Sequence, residues 1–287
     1  MPIRQITIVG TGLIGGSLGL ALRQAGFSGT IVGCDRRAVL EIAATRNAID
    51  RAEADLERAI TGSDVIVLAT PVGCILAQME AIAPLLAQDQ DKDTLITDTG
   101  STKEKFVERA RLVLGDSAVG SVLPGHPMAG KEAGGIEHAD PDLFRDAVWL
   151  ITPIDAGVQY TSRQQEYLDL LTSIGARVIA IDAWRHDRLC AWVSHLPQMM
   201  ATALASALRD EFGDDAVVSR IGGRALREMT RIAHSPYSMW RDIAMTNTQN
   251  IEEAMLYFEQ QMAHLRENLR EPELREIFDS ANRFGKQ

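Results

Sequence analysis

The chain has 287 residues, 46% hydrophobic and 24% charged, the composition of a globular protein with room for two domains of ordinary size. A net charge of −10 with no offsetting polybasic stretch argues against a nucleic-acid partner, whose phosphates such a field repels. No run of 18 apolar residues occurs and no basic-then-apolar leader opens the chain, so neither a membrane span nor a secretory signal is expected and a cytoplasmic location is.

The first element is an apolar strand over residues 6–9, which feeds Gly10-Thr11-Gly12-Leu13-Ile14-Gly15. A helix follows, and a second strand over 30–34 ends on Asp35, twenty residues beyond Gly15. A glycine-rich turn between strand and helix is weak alone, but in this setting it reads as a dinucleotide site. Gly10 permits the tight turn, Gly12 lets backbone N–H groups approach a pyrophosphate, and Gly15 lets the helix pack on its strand. The amides of Gly12, Leu13 and Ile14 open the helix, where orphan N–H groups and the macrodipole favour an anion. Asp35 would accept hydrogen bonds from the adenosine ribose and repel a 2′-phosphate. Arg36 and Arg37 follow it and could attract one, so the expected cofactor is NAD, with NADP the alternative.

Further apolar strands are predicted at 65–69, 94–97, 118–123, 148–151 and 178–181, with helices such as 76–86 and 102–113 between them. Continuous apolar strands alternating with helices predict an α/β fold, a Rossmann-type, doubly wound, mostly parallel sheet over residues 1–182. Ligands of such sheets lie beyond the strands' carboxyl ends, which here lead into Gly10, Asp35, Thr70-Pro71, 98–101 and Gly125-His126-Pro127. From residue 183 apolar residues recur at helical spacing, with Pro197 a kink, and an all-helical domain is expected over 183–287. Ile251, Met255, Phe258, Met262, Leu265 and Leu269 step by 4, 3, 4, 3 and 4, a heptad seam that wants a partner helix. It would pack either within the domain or, as favoured here, across a homodimer. Residues 283–287 read as a frayed tail.

Six histidines compete for a proton-transfer role. His126, in Gly125-His126-Pro127-Met128-Ala129-Gly130, is placed in a loop facing the crevice, either as a general base or simply solvated. His195 is either a satisfied helix residue or a pocket residue. Ser101 either caps the following helix or orients His126. Arg231 sits among apolar residues, where a cation wants an anion: a substrate carboxylate, or an internal acid such as Glu228. Trp240 reads as core on residue type. Cys34, Cys74 and Cys190 are odd in number and widely spaced, so they are expected to be buried small hydrophobes, and no metal-ligand spacing is found.

Taken in order, Gly10-x-Gly-Leu-Ile-Gly-Gly-Ser17, Ala69-Thr70-Pro71, Asp98-x-Gly-Ser-x-Lys103, Gly125-His-Pro-Met-Ala-Gly130-x-Glu132, Ser194-His-Leu-Pro197, Thr230-Arg-Ile-Ala233 and Met239-Trp-Arg-Asp-Ile243 run nearly the whole chain. This series resembles the prephenate/arogenate dehydrogenases of tyrosine biosynthesis. The resemblance implies oxidative decarboxylation of a cyclohexadienol, with hydride passing to NAD while His126 draws off the hydroxyl proton. By the same resemblance Arg231 anchors the substrate carboxylate, Ser101 links His126 to the nicotinamide, and Trp240 and His195 line the pocket. It also implies a dinucleotide-binding domain followed by a helical dimerisation domain. Many relatives have a histidine where this chain has Gln198, whose amide cannot become cationic, and the choice between prephenate and arogenate stays open there. Glu132 is a nearby acid that could meet arogenate's ammonium. Ser235-Pro236-Tyr237 departs from the family's usual Ser-Asp-Pro, an alteration with no evident effect. A β-hydroxyacid dehydrogenase would need a lysine in the long helix, and none occurs between Lys131 and Lys286. A non-catalytic nicotinamide sensor would have no use for His126, Ser101 and Arg231.

Overall fold

The computed structural model describes residues 2–86, 93–131, 133–155 and 157–284. Five short apolar strands form one parallel sheet: β1 (Gln5–Val9), β2 (Thr30–Cys34), β3 (Arg51–Glu53), β4 (Val65–Leu68) and β5 (Leu95–Asp98), in the order β3-β2-β1-β4-β5. Ile6, Ile8, Ile31, Val65, Val67 and Leu95 are fully buried, as expected where helices cover both faces. Those helices include α1 (Leu13–Gln24), α2 (Arg37–Thr45), α3 (Leu56–Ile60), α4 (Val72–Leu86) and α5 (Glu104–Leu114). The strand order reverses between β1 and β4, which opens a crevice at the glycine loop. β3 was not foreseen because Arg51, Ala52 and Glu53 carry no apolar run; it exists through its backbone pairing with β2.

The expected strand at 118–123 is instead a short helix, α6 (Ala118–Ser121). Val122 and Leu123 then touch β5 through an isolated bridge and one hydrogen bond to Ile96. Next comes β6 (Gly125–Pro127), which belongs to a second sheet with β7 (Val148–Ile151) and β8 (Arg177–Ala180), α7 (Ser162–Ser173) lying between the last two. β6 runs antiparallel to β7, so the α/β region holds two sheets rather than one. His126 consequently sits within a strand, paired opposite Leu150, and not on a loop.

From Ala183 onward the described residues form helices: α8 (Ala183–Cys190), a π turn (Ala191–His195), α9 (Leu196–Phe212), α10 (Ala216–Ile221), α11 (Gly223–Thr230), a 3₁₀ turn (Arg231–His234), α12 (Tyr237–Thr246), α13 (Thr248–Glu267) and α14 (Glu273–Phe284). Pro197 lies in the first turn of α9, where its missing N–H is harmless, and the break in the long helix falls just before it as the π turn. α13 ends before Leu269, which is exposed, and of the seam residues only Ile251 is buried, with Ala254 beside it. Helix α14 carries the chain through Arg283 and Phe284, where fraying was expected; 285–287 lie outside the described residues. Cys34 and Cys190 are buried, but Cys74 is exposed. Among the described residues no helix is long and apolar enough to cross a membrane.

The two regions dock through helix caps. Asp242 of α12 accepts a hydrogen bond from Gly73 N–H at 3.0 Å, at the start of α4. Asp187 of α8 accepts from Lys103 N–H at 2.7 Å and Glu104 N–H at 3.0 Å, at the start of α5. Carboxylates from the helical region thus satisfy orphan donors on the sheet region's helices and oppose the positive ends of their dipoles.

Candidate active site

The glycine loop has the shape its sequence demands. Gly10 has φ of +95°, and a Cβ there would sit 2.7 Å from the Ala69 carbonyl carbon. A Cβ on Gly15 would run into the Gly10 carbonyl oxygen, whereas nothing lies within 4 Å of where one on Gly12 would point. Helix α1 starts at Leu13 and Ile14 with no side-chain cap and no acidic residue in its first turn, leaving amides for an anionic group. Asp35 follows β2, its carboxylate held by Thr11 N–H at 2.8 Å and Arg36 N–H at 2.7 Å. Arg36 itself is exposed. Across the crevice the Thr70 hydroxyl donates to Gln78 Oε1 at 2.8 Å, and Pro71 leads into α4. These residues form a cradle that fits a dinucleotide.

Beyond that cradle, β6 carries His126. Its Nδ1 lies 2.9 Å from Nε2 of the buried His186, and His186 Nδ1 lies 2.7 Å from Asp187 Oδ1. Enclosure by protein, reinforced by His186, Lys103 and His195, holds the His126 pKa well below the usual histidine range. Lys103 is itself fully buried, paired with Asp98, and donates to the Gly125 carbonyl at 2.7 Å, which pins the residue before His126. Burial disfavours both charges, but Asp98 also accepts from the amides of Gly100 and Gly125, and these bonds with the ammonium keep the two an ion pair.

His195, on the π turn, is 1% exposed and meets Trp240 edge-on, with ring centroids 5.9 Å apart. Its Nδ1 accepts from Asn247 Nδ2 at 3.2 Å, and burial pushes its pKa down to about 4. Trp240 Nε1 is buried with no hydrogen-bond partner. Gln198 is buried one turn beyond His195, its Nε2 3.2 Å from the Thr202 hydroxyl.

Ser101 is half-buried in the turn after β5; it does not cap α5, whose first amides are taken by Asp187. Arg231 is exposed at the start of the 3₁₀ turn, so the expectation of a cation enclosed by apolar neighbours does not hold. Glu228, offered as its internal partner, bonds Arg224 Nε at 2.7 Å. Glu132 lies outside the described residues. Residue-by-residue reading missed His186, Asp187, Asp242 and Asn247, since no spacing signals a contact between a strand and a helix sixty residues on. Lys103 and Asp98 stood in a quoted motif without a role.

Comparison with known proteins follows the same division of the chain. Residues 18–180 match the family model for the prephenate dehydrogenase nucleotide-binding domain, and 182–280 match that for the prephenate dehydrogenase dimerization domain. A prephenate dehydrogenase of Lactococcus lactis subsp. cremoris is 33% identical over 85% of this chain, and one of Bacillus subtilis is 32% identical over 86%. The chain spans 65% of the length of each of these two relatives. Among solved structures, prephenate dehydrogenase from A. aeolicus in complex with hydroxyphenyl propionate and NAD+ superposes with a TM-score of 0.88 at 28% identity, covering 100% of this chain and 99% of that one.

Proposed function

This chain belongs to the prephenate dehydrogenase family, and from that premise we propose that it oxidatively decarboxylates prephenate to 4-hydroxyphenylpyruvate with NAD as cofactor. The observation that carries the reading is a half-buried, neutral His126 on β6, one ring nitrogen tied to His186 and the other left for a substrate.

NAD, when bound, supplies the hydride acceptor. Gly10, Gly12, Leu13, Ile14 and Gly15 would hold its pyrophosphate against the start of α1, Asp35 its adenosine ribose, and Thr70 and Pro71 the opposite wall. A 2′-phosphate would meet the Asp35 carboxylate, which favours NAD over NADP; the exposed Arg36 gives the weaker opposing pull. His126 accepts the ring-hydroxyl proton as the carbinol carbon loses hydride, contributing about 10²–10⁴-fold. The electrons of the breaking ring-to-carboxylate bond complete the aromatic ring and carbon dioxide leaves. The net step is strongly downhill, so alignment and deprotonation are the chain's main tasks. Arg231 binds a substrate carboxylate, Ser101 orients His126, and His195, Trp240 and Gln198 line the side-chain pocket.

The protein acts as a homodimer joined through its helical region. That reading is supported by a groove of about 760 Å³ lined by Met199, Met200, Leu204, Met255, Phe258 and Met262. The neutral Gln198 amide accepts a pyruvyl or an alanyl group through hydrogen bonds alone, so substrate choice is read directly. NAD reduction is followed at its absorbance with prephenate and with arogenate in parallel. A higher kcat/KM for prephenate is expected; preference for arogenate would overturn the substrate assignment, and turnover of neither would overturn the enzyme reading.

A further inference from the structure

His126 Nδ1, His186 Nε2 and Cys190 Sγ lie within 4.8 Å of one another, although His126 is sixty residues from His186 in sequence. The spacing of the three resembles a ligand cluster. Two features describe it instead as a hydrogen-bonded chain. The two nitrogens stand at 2.9 Å, an ordinary hydrogen-bond length, and burial with Asp187 nearby pushes the Cys190 thiol up to about 12, so its sulfur keeps its proton.

The protons along the chain can be assigned from its far end. Asp187 accepts backbone N–H groups from Lys103 and Glu104, bonds that require a carboxylate rather than a donor. Its Oδ1 therefore accepts from His186 Nδ1, which must carry a hydrogen. Burial keeps His186 neutral, so its single ring proton is spent there and Nε2 is an acceptor. Cys190 Sγ, 3.6 Å from the same nitrogen, can only add a second, weaker donor. The remaining bond forms if His126 Nδ1 is the donor.

We propose that Asp187 and His186 are positioning residues that lock His126 in the Nδ1-protonated tautomer, leaving Nε2 as the free base toward the crevice. The catalytic part of this inference rests on the proposed dehydrogenase activity; the tautomer does not. The wrong tautomer would present an N–H to the substrate hydroxyl and could accept nothing, and a histidine free to exchange tautomers would be competent only part of the time. Once His126 takes a proton at Nε2, the Nδ1 bond to His186 and the carboxylate behind it stabilise the cation. The other titratable groups facing His126 are Lys103, ion-paired with Asp98 and opposing a charge on the ring, and His195, held neutral by burial.

The test begins on the native protein without ligand, by long-range ¹H–¹⁵N correlation of its labelled histidine rings at neutral pH. His126 should show a protonated Nδ1 and a bare Nε2, and His186 the same. A proton on Nε2 of His126 overturns the proposal whether or not prephenate is turned over. In His186→Phe the His126 resonances should move to tautomer-averaged positions, and kcat should fall roughly 10²-fold, the low end of a general base's contribution, with KM within about twofold. His186→Gln, whose amide oxygen can accept from Nδ1, should recover kcat to within about tenfold of native. Unchanged tautomer and kcat in His186→Phe, or no recovery in a folded His186→Gln, would show that His186 merely fills space.

Discussion

His126→Asn keeps a polar side chain on β6 but removes the ring nitrogen proposed to take the proton. Steady-state kinetics should show kcat lower by about 10²–10⁴-fold with KM for prephenate nearly unchanged, because the lost interaction is made chiefly in the transition state. Arg231→Ala should do the opposite and chiefly raise KM, as expected of a group that holds a carboxylate throughout. Equal effects on both constants in both variants would overturn the two roles. His195 makes a stability prediction. Its folded pKa of about 4 lies below the ordinary histidine value of 6.5, so on acidification the unfolded chain binds a proton first. Its contribution is intact above pH 6.5 and is lost as pH falls from there toward 4, on the order of 3 kcal/mol in all. His126 and His186 are shifted the same way, so Tm should decline through that window in the native protein and less steeply in His195→Gln. A Tm independent of pH between 7 and 5 would contradict it. Residue types pointed to the glycine turn and to His126 because loop geometry and proton transfer each admit few side chains. They misjudged the burial of Arg231, because flanking apolar residues along a short turn say little about which way a long side chain emerges.

Among the elements, four of the five strands of the parallel sheet were legible because complete burial demands unbroken apolar runs, as in Val65-Ile66-Val67-Leu68, whereas β3 carries none. The run at 118–123 misled for the same reason: Ala118 and Val122 are buried, but α6 and the bridge that follows it bury them as well as a strand would, and short apolar runs do not distinguish the two. Placing His126 on a loop followed from that error. It lies within β6, which pairs with β7, and Lys103 holds the Gly125 carbonyl just before it, anchoring that suits the alignment a proposed base needs. The caps supplied by Asp187 and Asp242 were illegible because the helices they cap are more than eighty residues away in the chain. Asp242→Ala removes the side chain that bonds Gly73 N–H and should cost about 1 kcal/mol, seen as a lower urea midpoint. Asp242→Asn retains an acceptor oxygen and should lose less. Equal stability of Asp242→Ala and the native protein would mean that solvent replaces the cap without loss.

For the whole molecule, the apolar seam read from sequence is only partly used within one chain. Ile251 and Ala254 pack with Ala191, Leu196 and Ile243, but Met255 is 37% and Met262 50% exposed, and both face the groove with Met199 and Met200. Phe278 and Phe284 of α14 are exposed as well, outside the groove's lining. A surface this apolar, in a region matching a dimerization-domain model, is best covered by a second copy of the chain. Met255→Lys with Met262→Lys places two charges in the groove, where water reaches them in a single chain but not across a closed interface. Since both side chains are already part-exposed, the fold should survive with unchanged far-UV circular dichroism, while sedimentation equilibrium at micromolar concentration should fall from two chains to one. A native protein that sediments as one chain, or a variant that remains dimeric, would remove the interface from this face. The consequence reaches the proposed site, because α9 carries Met199 and Met200 on the groove and also the buried Gln198 that we assign to the pocket. Loss of the partner should loosen that helix and raise KM for prephenate in the monomeric variant more than it lowers kcat, since the His126 strand is anchored in the other region by Lys103 and Asp98.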